Sequence, residues 1–145
     1  TIVFIVMQVP HDIAISKAVQ HKMKHPSYLL DQSYSPYEIM GMICVMDMIL
    51  SMRLHTLIFA ARKRIPLIGF VYDPKIEYYL EKLDMPSGGT VEEFDLEKAM
   101  EQIQDLIQNR SYYVDKLEKA ACELEKKANQ NEEYLMELLE NGGAK

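Results

Sequence analysis

Cysteine is scarce in this chain: two in 145 residues, Cys44 and Cys122, with no C-x-x-C spacing. Both fall in apolar helical patterns. They read as buried, reduced thiols, which leaves no disulfide framework and no redox dithiol. Basic charge is also short. Sixteen Lys and Arg against 22 Asp and Glu leave a net charge of −6, which argues against nucleic acid or an anionic membrane as the main partner. An anionic substrate would need a local positive pocket rather than a global field. No long hydrophobic run is present. The most apolar stretch, Met42 to Met52, is broken by Asp47 and falls short of the ~18 apolar residues of a spanning helix. No basic, apolar leader opens the chain either. Thr1 is followed at once by a strand-like run, so the chain is expected to continue a longer protein whose N-terminal domain precedes it.

What is present is 48% hydrophobic and 26% charged residues, the balance of a globular domain with a real core. Ile2 to Val6 is a β-branched run suited to a strand covered on both faces. Asp12 can cap a helix over about residues 13 to 24. Ser27 to Leu30 is a short strand. In "SPYE", Ser35 is an N-cap, Pro36 the first helical residue and Glu38 the closing member of a capping box. Ile39, Met42, Ile43 and Met46 follow at helical spacing, and Asp47 ends that helix. Met48 to Leu50 is a third strand. Leu54, Leu57, Ile58 and Ala61 mark a helix that Pro66 stops. Leu67 to Tyr72 is a fourth strand, and Asp73-Pro74 starts a helix running to about Leu83. "PSGG" reads as a turn, Val91 as a short fifth strand and Asp95 as the cap of a helix carrying Leu96, Met100, Ile103 and Ile107.

Strand and helix alternate with no hairpin signal. The pattern predicts a doubly wound, Rossmann-like parallel sheet of about five strands with right-handed crossovers, over residues 1–110. Residues 111–145 form a helical tail, rich in Glu and Lys from Tyr112 to Glu140. Its thin stripe is Leu117, Ala121, Leu124, Ala128, Leu135 and Leu138. The stripe is expected to pack along its own domain or a neighbour. Self-association as a coiled coil is the alternative, against which stand a drifting register and few large apolar seam residues.

On parallel sheets, ligands bind beyond the carboxyl ends of the strands. Arg53 follows the third strand, and His55 falls in the first turn of the next helix. Free N–H groups and the dipole at that helix start favour an anion, and Arg53 adds a planar fork for carboxylate or phosphate. The dipole disfavours a fixed cation, so His55 reads as a hydrogen-bond donor or proton carrier. The fourth strand delivers Tyr72, Asp73 and Lys75 to the same edge, and the first strand delivers Gln8 and then Asp12. Each has a plainer reading. Asp73 is a cap, Lys75 a solvated charge, Gln8 and Asp12 structural residues, and Arg53 the partner of an acid such as Asp47. His21 and His25 lie four apart, but no third ligand is nearby, so no metal site is assigned. Spacing alone yields an anion-binding α/β cleft.

"MQVPHD", "MRLHTLIFAA" and "IPLIGFVYDPK", in this order over Ile2 to Leu83, resemble the C-terminal half of bacterial polysaccharide pyruvyl transferases. The likeness is nearest to those that act on secondary cell-wall polymers. The chain departs from the family pattern at Val6, where proline is usual, and at Thr56. The resemblance implies a GT-B-like fold of which this chain supplies the second Rossmann-like domain. It implies phosphoenolpyruvate as donor and no other cofactor. The acceptor would be a sugar or lipid-linked polysaccharide, bound mainly by the missing N-terminal domain. It further implies a cytoplasmic location, at the inner face of the membrane, without a membrane-spanning segment. The triplet Arg53, Leu54 and His55 would recognise the donor, with His55 as the catalytic proton carrier. This piece alone is expected to fold but not to catalyse. Two other functions fit the residues less well. One is the nucleotide-sugar half of a GT-B glycosyltransferase, for which no ribose-binding acid is evident. The other is a non-enzymatic interaction module.

Overall fold

The computed structural model describes residues 1–142. The chain forms two compact units, Thr1–Met42 and Ile43 onward.

The first unit is a βαβ arrangement. Strand β1 (Ile2–Ile5) pairs in parallel with β2 (Ser27–Leu30), in a register that sets Ile2 against Ser27 and Ile5 against Leu30. Helix α1 (His11–Lys22) makes the crossover, entered through a cis Val9–Pro10 bond. Gln20 Nε2 donates to Ser27 O at 2.8 Å and ties α1 to β2. Asp12 lies inside the first turn of α1 and does not cap it. The N-cap is Pro10, with no side-chain hydrogen bond. Helix α2 (Pro36–Ile43) starts as its capping box demands. Glu38 Oε2 accepts from the backbone N–H and the hydroxyl of Ser35, both at 2.8 Å, and Glu38 N–H returns to Ser35 Oγ. These bonds hold the Glu38 carboxyl below the usual carboxylate range, the Ser35 backbone bond most strongly. The helix ends at Ile43, four residues before Asp47.

The second unit has a three-stranded parallel sheet. Its order is β3 (Ile49–Ser51), β4 (Leu67–Val71), β5 (Ser87–Thr90). Helix α3 (Leu54–Arg62) links β3 to β4, and α4 (Pro74–Leu83) links β4 to β5. After β5 come α5 (Leu96–Gln108) and α6 (Arg110–Gly142). The parallel strands thus fall into two small sheets, one in each unit.

The "SGGT" stretch is not a turn but β5 itself, and Val91 lies just past it. Its glycines serve close approach. A Cβ on Gly88 would strike the ring of Phe70. Gly69 on β4 needs room of the same kind, since a Cβ there would stand 2.7 Å from Leu80 Cδ1. Helix α4 can therefore lie close on β4. Leu57, Leu67, Ile68, Ile76 and Leu83 are fully buried around this sheet.

Helix α6 packs its first half on α3, α4 and α5. Leu117 and Ala121 are buried there. Arg64, in the left-handed region just past α3 (φ 59°), clamps this half. Its Nε donates to Glu118 Oε2 at 2.6 Å, and its terminal nitrogens reach Glu125 at 3.2 and 3.3 Å. Lys116 Nζ meets Asp84 Oδ2 at 2.8 Å. The Tyr113 hydroxyl donates to Asp105, which pushes the phenol up to about 12. Cys44, read as buried, is exposed just past α2, while Cys122 is half-buried on α6. No helix among the described residues is long and apolar enough to cross a membrane.

Candidate active site

Because β3, β4 and β5 are parallel, their carboxyl ends open on one edge, and each hands over to the start of a helix. The register aligns them: Ser51 pairs with Gly69, and Val71 pairs with Thr90. Residues 52–55, 72–75 and 91–95 therefore lie along one side of the second unit.

The three helix starts on this edge are built differently. At α4, Asp73 is an extended N-cap whose Oδ1 accepts the Lys75 N–H at 2.9 Å, followed by Pro74 at the first helical position. At α5, Asp95 Oδ1 accepts the Lys98 N–H at 3.1 Å. At α3 the N-cap is Arg53, also extended, and no side chain caps the helix. The Arg53 carbonyl accepts the N–H groups of Thr56 and Leu57, at 3.0 and 3.2 Å. Its own N–H donates to Ser51 Oγ at 2.9 Å. Ser51, the last residue of β3, thereby sets the angle at which Arg53 leaves the sheet. A guanidinium and the His55 imidazole occupy the end of α3 where the dipole favours negative charge. Two neighbouring helices show what the fold uses at such a position when only stability is at stake, namely a carboxylate.

Arg53 and Leu54 are half-buried and His55 is exposed. Thr56, next in the same turn, is 6% exposed, and its Oγ1 has no hydrogen-bond partner. A buried, unpaired hydroxyl is a cost to the fold.

Lys75 is less available than its place suggests. Its Nζ lies 3.1 Å from Asp73 Oδ2 and 5.8 Å from the centre of the Tyr72 ring. The backbone N–H of Lys75, and then its ammonium, hold the Asp73 carboxyl below the usual aspartate range, while Asp73 raises the lysine. Tyr72, Asp73 and Lys75 thus satisfy one another beside α3.

The second unit therefore gathers Arg53, Leu54, His55, Tyr72, Asp73 and Lys75 on one edge. Gln8 and Asp12 belong to the first unit. There the Gln8 carbonyl accepts the Asp12 N–H at 2.9 Å as α1 begins. Sequence reasoning passed over Ser51 and Thr90, and marked Thr56 only as a departure from the family pattern. The signal for Ser51 was a serine two residues before Arg53, the spacing of a hydroxyl-closed turn. Thr90 does similar work at the end of β5, its Oγ1 accepting the Glu93 N–H at 3.0 Å. It was hidden because "PSGG", just before it, read as a turn. Thr56 carried no local signal, since its burial is set by the surrounding pack.

The family model described as polysaccharide pyruvyl transferase matches residues 2–74. That span takes in Gln8, Asp12, Arg53, His55 and Asp73, and stops one residue before Lys75. Neither the curated proteins nor the solved structures include a match to the chain.

Proposed function

The chain belongs to the polysaccharide pyruvyl transferase family, and from that premise we propose that it forms the C-terminal domain of a transferase that moves pyruvate from phosphoenolpyruvate to a sugar diol as a ketal. The observation that carries this reading is the start of α3. It alone among the three helix starts of the edge lacks a carboxylate cap and bears Arg53 and His55 instead. A donor carboxylate or phosphate would complete it, taking the backbone N–H groups, the dipole and the guanidinium fork together.

The chemistry needs these parts. A proton is added to the methylene carbon of the donor, and the cation left at the adjacent carbon takes a sugar hydroxyl. The bond from that carbon to the phosphate oxygen breaks, phosphate departs, and a second sugar hydroxyl closes the ketal. His55 is the proton carrier. Arg53 holds the anion throughout and offsets the charge gathering on the leaving phosphate. Leu54, half-buried, keeps the two polar residues on the open side of the turn. Tyr72, Asp73 and Lys75 flank the donor. Gln8 and Asp12, at the end of β1 and the start of α1, are proposed as further substrate-binding residues from the first unit. The steps are redox-neutral, so donor and acceptor suffice and no resident cofactor is invoked.

The family reading carries with it a Rossmann-like fold of about five strands, the second half of a GT-B-like enzyme. Residues 1–110 form the domain and 111–145 its tail. A preceding N-terminal domain binds the sugar or lipid-linked acceptor, in the cytoplasm at the inner membrane face. Without that domain the chain folds but does not turn over.

Calorimetric titration of the full-length enzyme with phosphoenolpyruvate and, separately, with a uridine nucleotide tests the donor. Saturable binding of phosphoenolpyruvate that weakens in Arg53→Lys is expected. Preference for the nucleotide would overturn the reading in favour of a glycosyltransferase.

A further inference from the structure

Helix α6 changes character halfway along. Its first half buries Leu117 and Ala121, while every residue from Glu125 to Glu140 is exposed. The stripe nevertheless continues. Leu117, Ala121, Leu124, Ala128, Asn131, Leu135 and Leu138 follow at steps of 4, 3, 4, 3, 4 and 3. The register expected to drift is an unbroken heptad seam once Asn131 is counted in it. Past Glu125 the helix runs on for about 25 Å at ~1.5 Å per residue. Near its end Tyr134, Leu135, Met136, Leu138 and Leu139 are each more than half exposed, Leu138 at 71%. Apolar side chains in that density are what a helix presents to another helix.

We propose that the second half of α6 pairs in parallel with the same segment of a second copy of this chain, forming a two-stranded coiled coil. Charge and polarity choose this occupant and this direction. In a parallel pair, the residue before one seam position faces the residue five further along on the partner. Lys127 then meets the partner subunit's Glu132, and by symmetry the contact occurs twice. Tyr134 meets the partner subunit's Leu139 in the next heptad, apolar against apolar. Asn131 in the seam faces the partner subunit's Asn131, and an amide can both donate to and accept from its own kind. The antiparallel pairing fails on the charge and on the asparagine. It sets Glu132 near the partner subunit's Glu132 and leaves Asn131 facing an apolar leucine. A single seam asparagine that is satisfied in only one arrangement selects that arrangement at some cost in affinity.

Sedimentation equilibrium of this chain across a wide range of concentration tests the pairing. A monomer–dimer equilibrium is expected, with the dimer lost in Leu135→Glu/Leu138→Glu. Both positions are exposed, so the fold survives, and circular dichroism of the rest of the chain checks that it does. Lys127→Glu alone and Glu132→Lys alone should each weaken the dimer by about tenfold, and the two together should restore it. In a Cys44→Ser background, Asn131→Cys should crosslink to itself under mild oxidation. A chain that stays monomeric throughout would mean that the stripe is covered by something other than a second copy. Dimers that the double charge reversal fails to rescue would rule out the parallel seam. Either result overturns the proposal.

Discussion

Helices α3 and α4 begin one strand apart on the same sheet edge, and their first turns carry opposite designs. Helix α4 has the arrangement that stability favours: an aspartate cap, proline at the first position, and a lysine held by that aspartate. Helix α3 has an arginine at the cap, a histidine in the first turn and a buried hydroxyl without a partner. Since the same sheet supports both, the difference is not imposed by the fold. Departures from local stability concentrated at one turn are what a ligand site looks like before its ligand arrives.

The largest expected break in the comparison is at His55. In the full-length enzyme, His55→Gln keeps a hydrogen-bond donor but cannot relay a proton. Its kcat should fall by about 100-fold or more with little change in the KM for phosphoenolpyruvate, and the pH–rate profile should flatten. Retention of nearly all of kcat would leave His55 a binding residue only. Next comes a paired exchange. Arg53→Lys replaces a fork by a point charge at the start of α3 and should lower kcat/KM by about 30-fold, near 2 kcal/mol for a charged bidentate contact. Lys75→Arg at α4 should change it less than about twofold, because Asp73 already engages that cation. Equal losses would show that Arg53 acts through charge alone.

Smaller effects concern stability. Thr56→Val removes the unpaired hydroxyl and keeps the shape, so thermal unfolding should report a gain of up to about 1 kcal/mol. A loss instead would mean that the hydroxyl has a partner in solution. Asp73→Ala should do the reverse at α4, lowering the denaturant midpoint. The smallest effect is its pH dependence. The Asp73 carboxyl is held below its ordinary value in the folded chain. Its stabilisation is therefore present above the unfolded-state value, about 3.9, and fades as pH falls through the depressed folded value. The stability gap between wild type and Asp73→Ala should close in that acid range. A gap that persisted there would put the contribution elsewhere than in the ionised cap.

Much of this edge was legible in the sequence because capping is local. Ser35 with Glu38, Asp73 with Lys75 and Asp95 with Lys98 lie within three residues of each other, and each forms the predicted bond. The clustering of Arg53 and His55 with Tyr72, Asp73 and Lys75 followed from alternation alone, since parallel strands must all end on one side. The engagement of Lys75 was less visible. An i, i+2 charge pair at a helix start looks, in one dimension, like an acid capping a turn and a base free to reach away.

Asp12 shows the limit of local reading in another way. It has the identity of a cap, yet Pro10 takes the cap position and Asp12 falls inside the turn. Cys44 was placed by extending the periodicity of α2 past its end, and once the helix stopped at Ile43 the residue became exposed.

The sequence by itself determined which segments are helices, where most of them begin, and that Arg53 and His55 stand at the start of α3. Those features depend on groups a few residues apart, whose preferences act whatever the rest of the chain does. The tertiary structure alone decided that "SGGT" is a strand, where Gly88 makes room for the ring of Phe70. It decided that the hydroxyl of Thr56 is buried without a partner. It also decided that one continuous stripe on α6 is core as far as Ala121 and open surface from Glu125 onward. Strand pairing and burial are set by what arrives from distant parts of the chain, and no window of neighbouring residues contains that information.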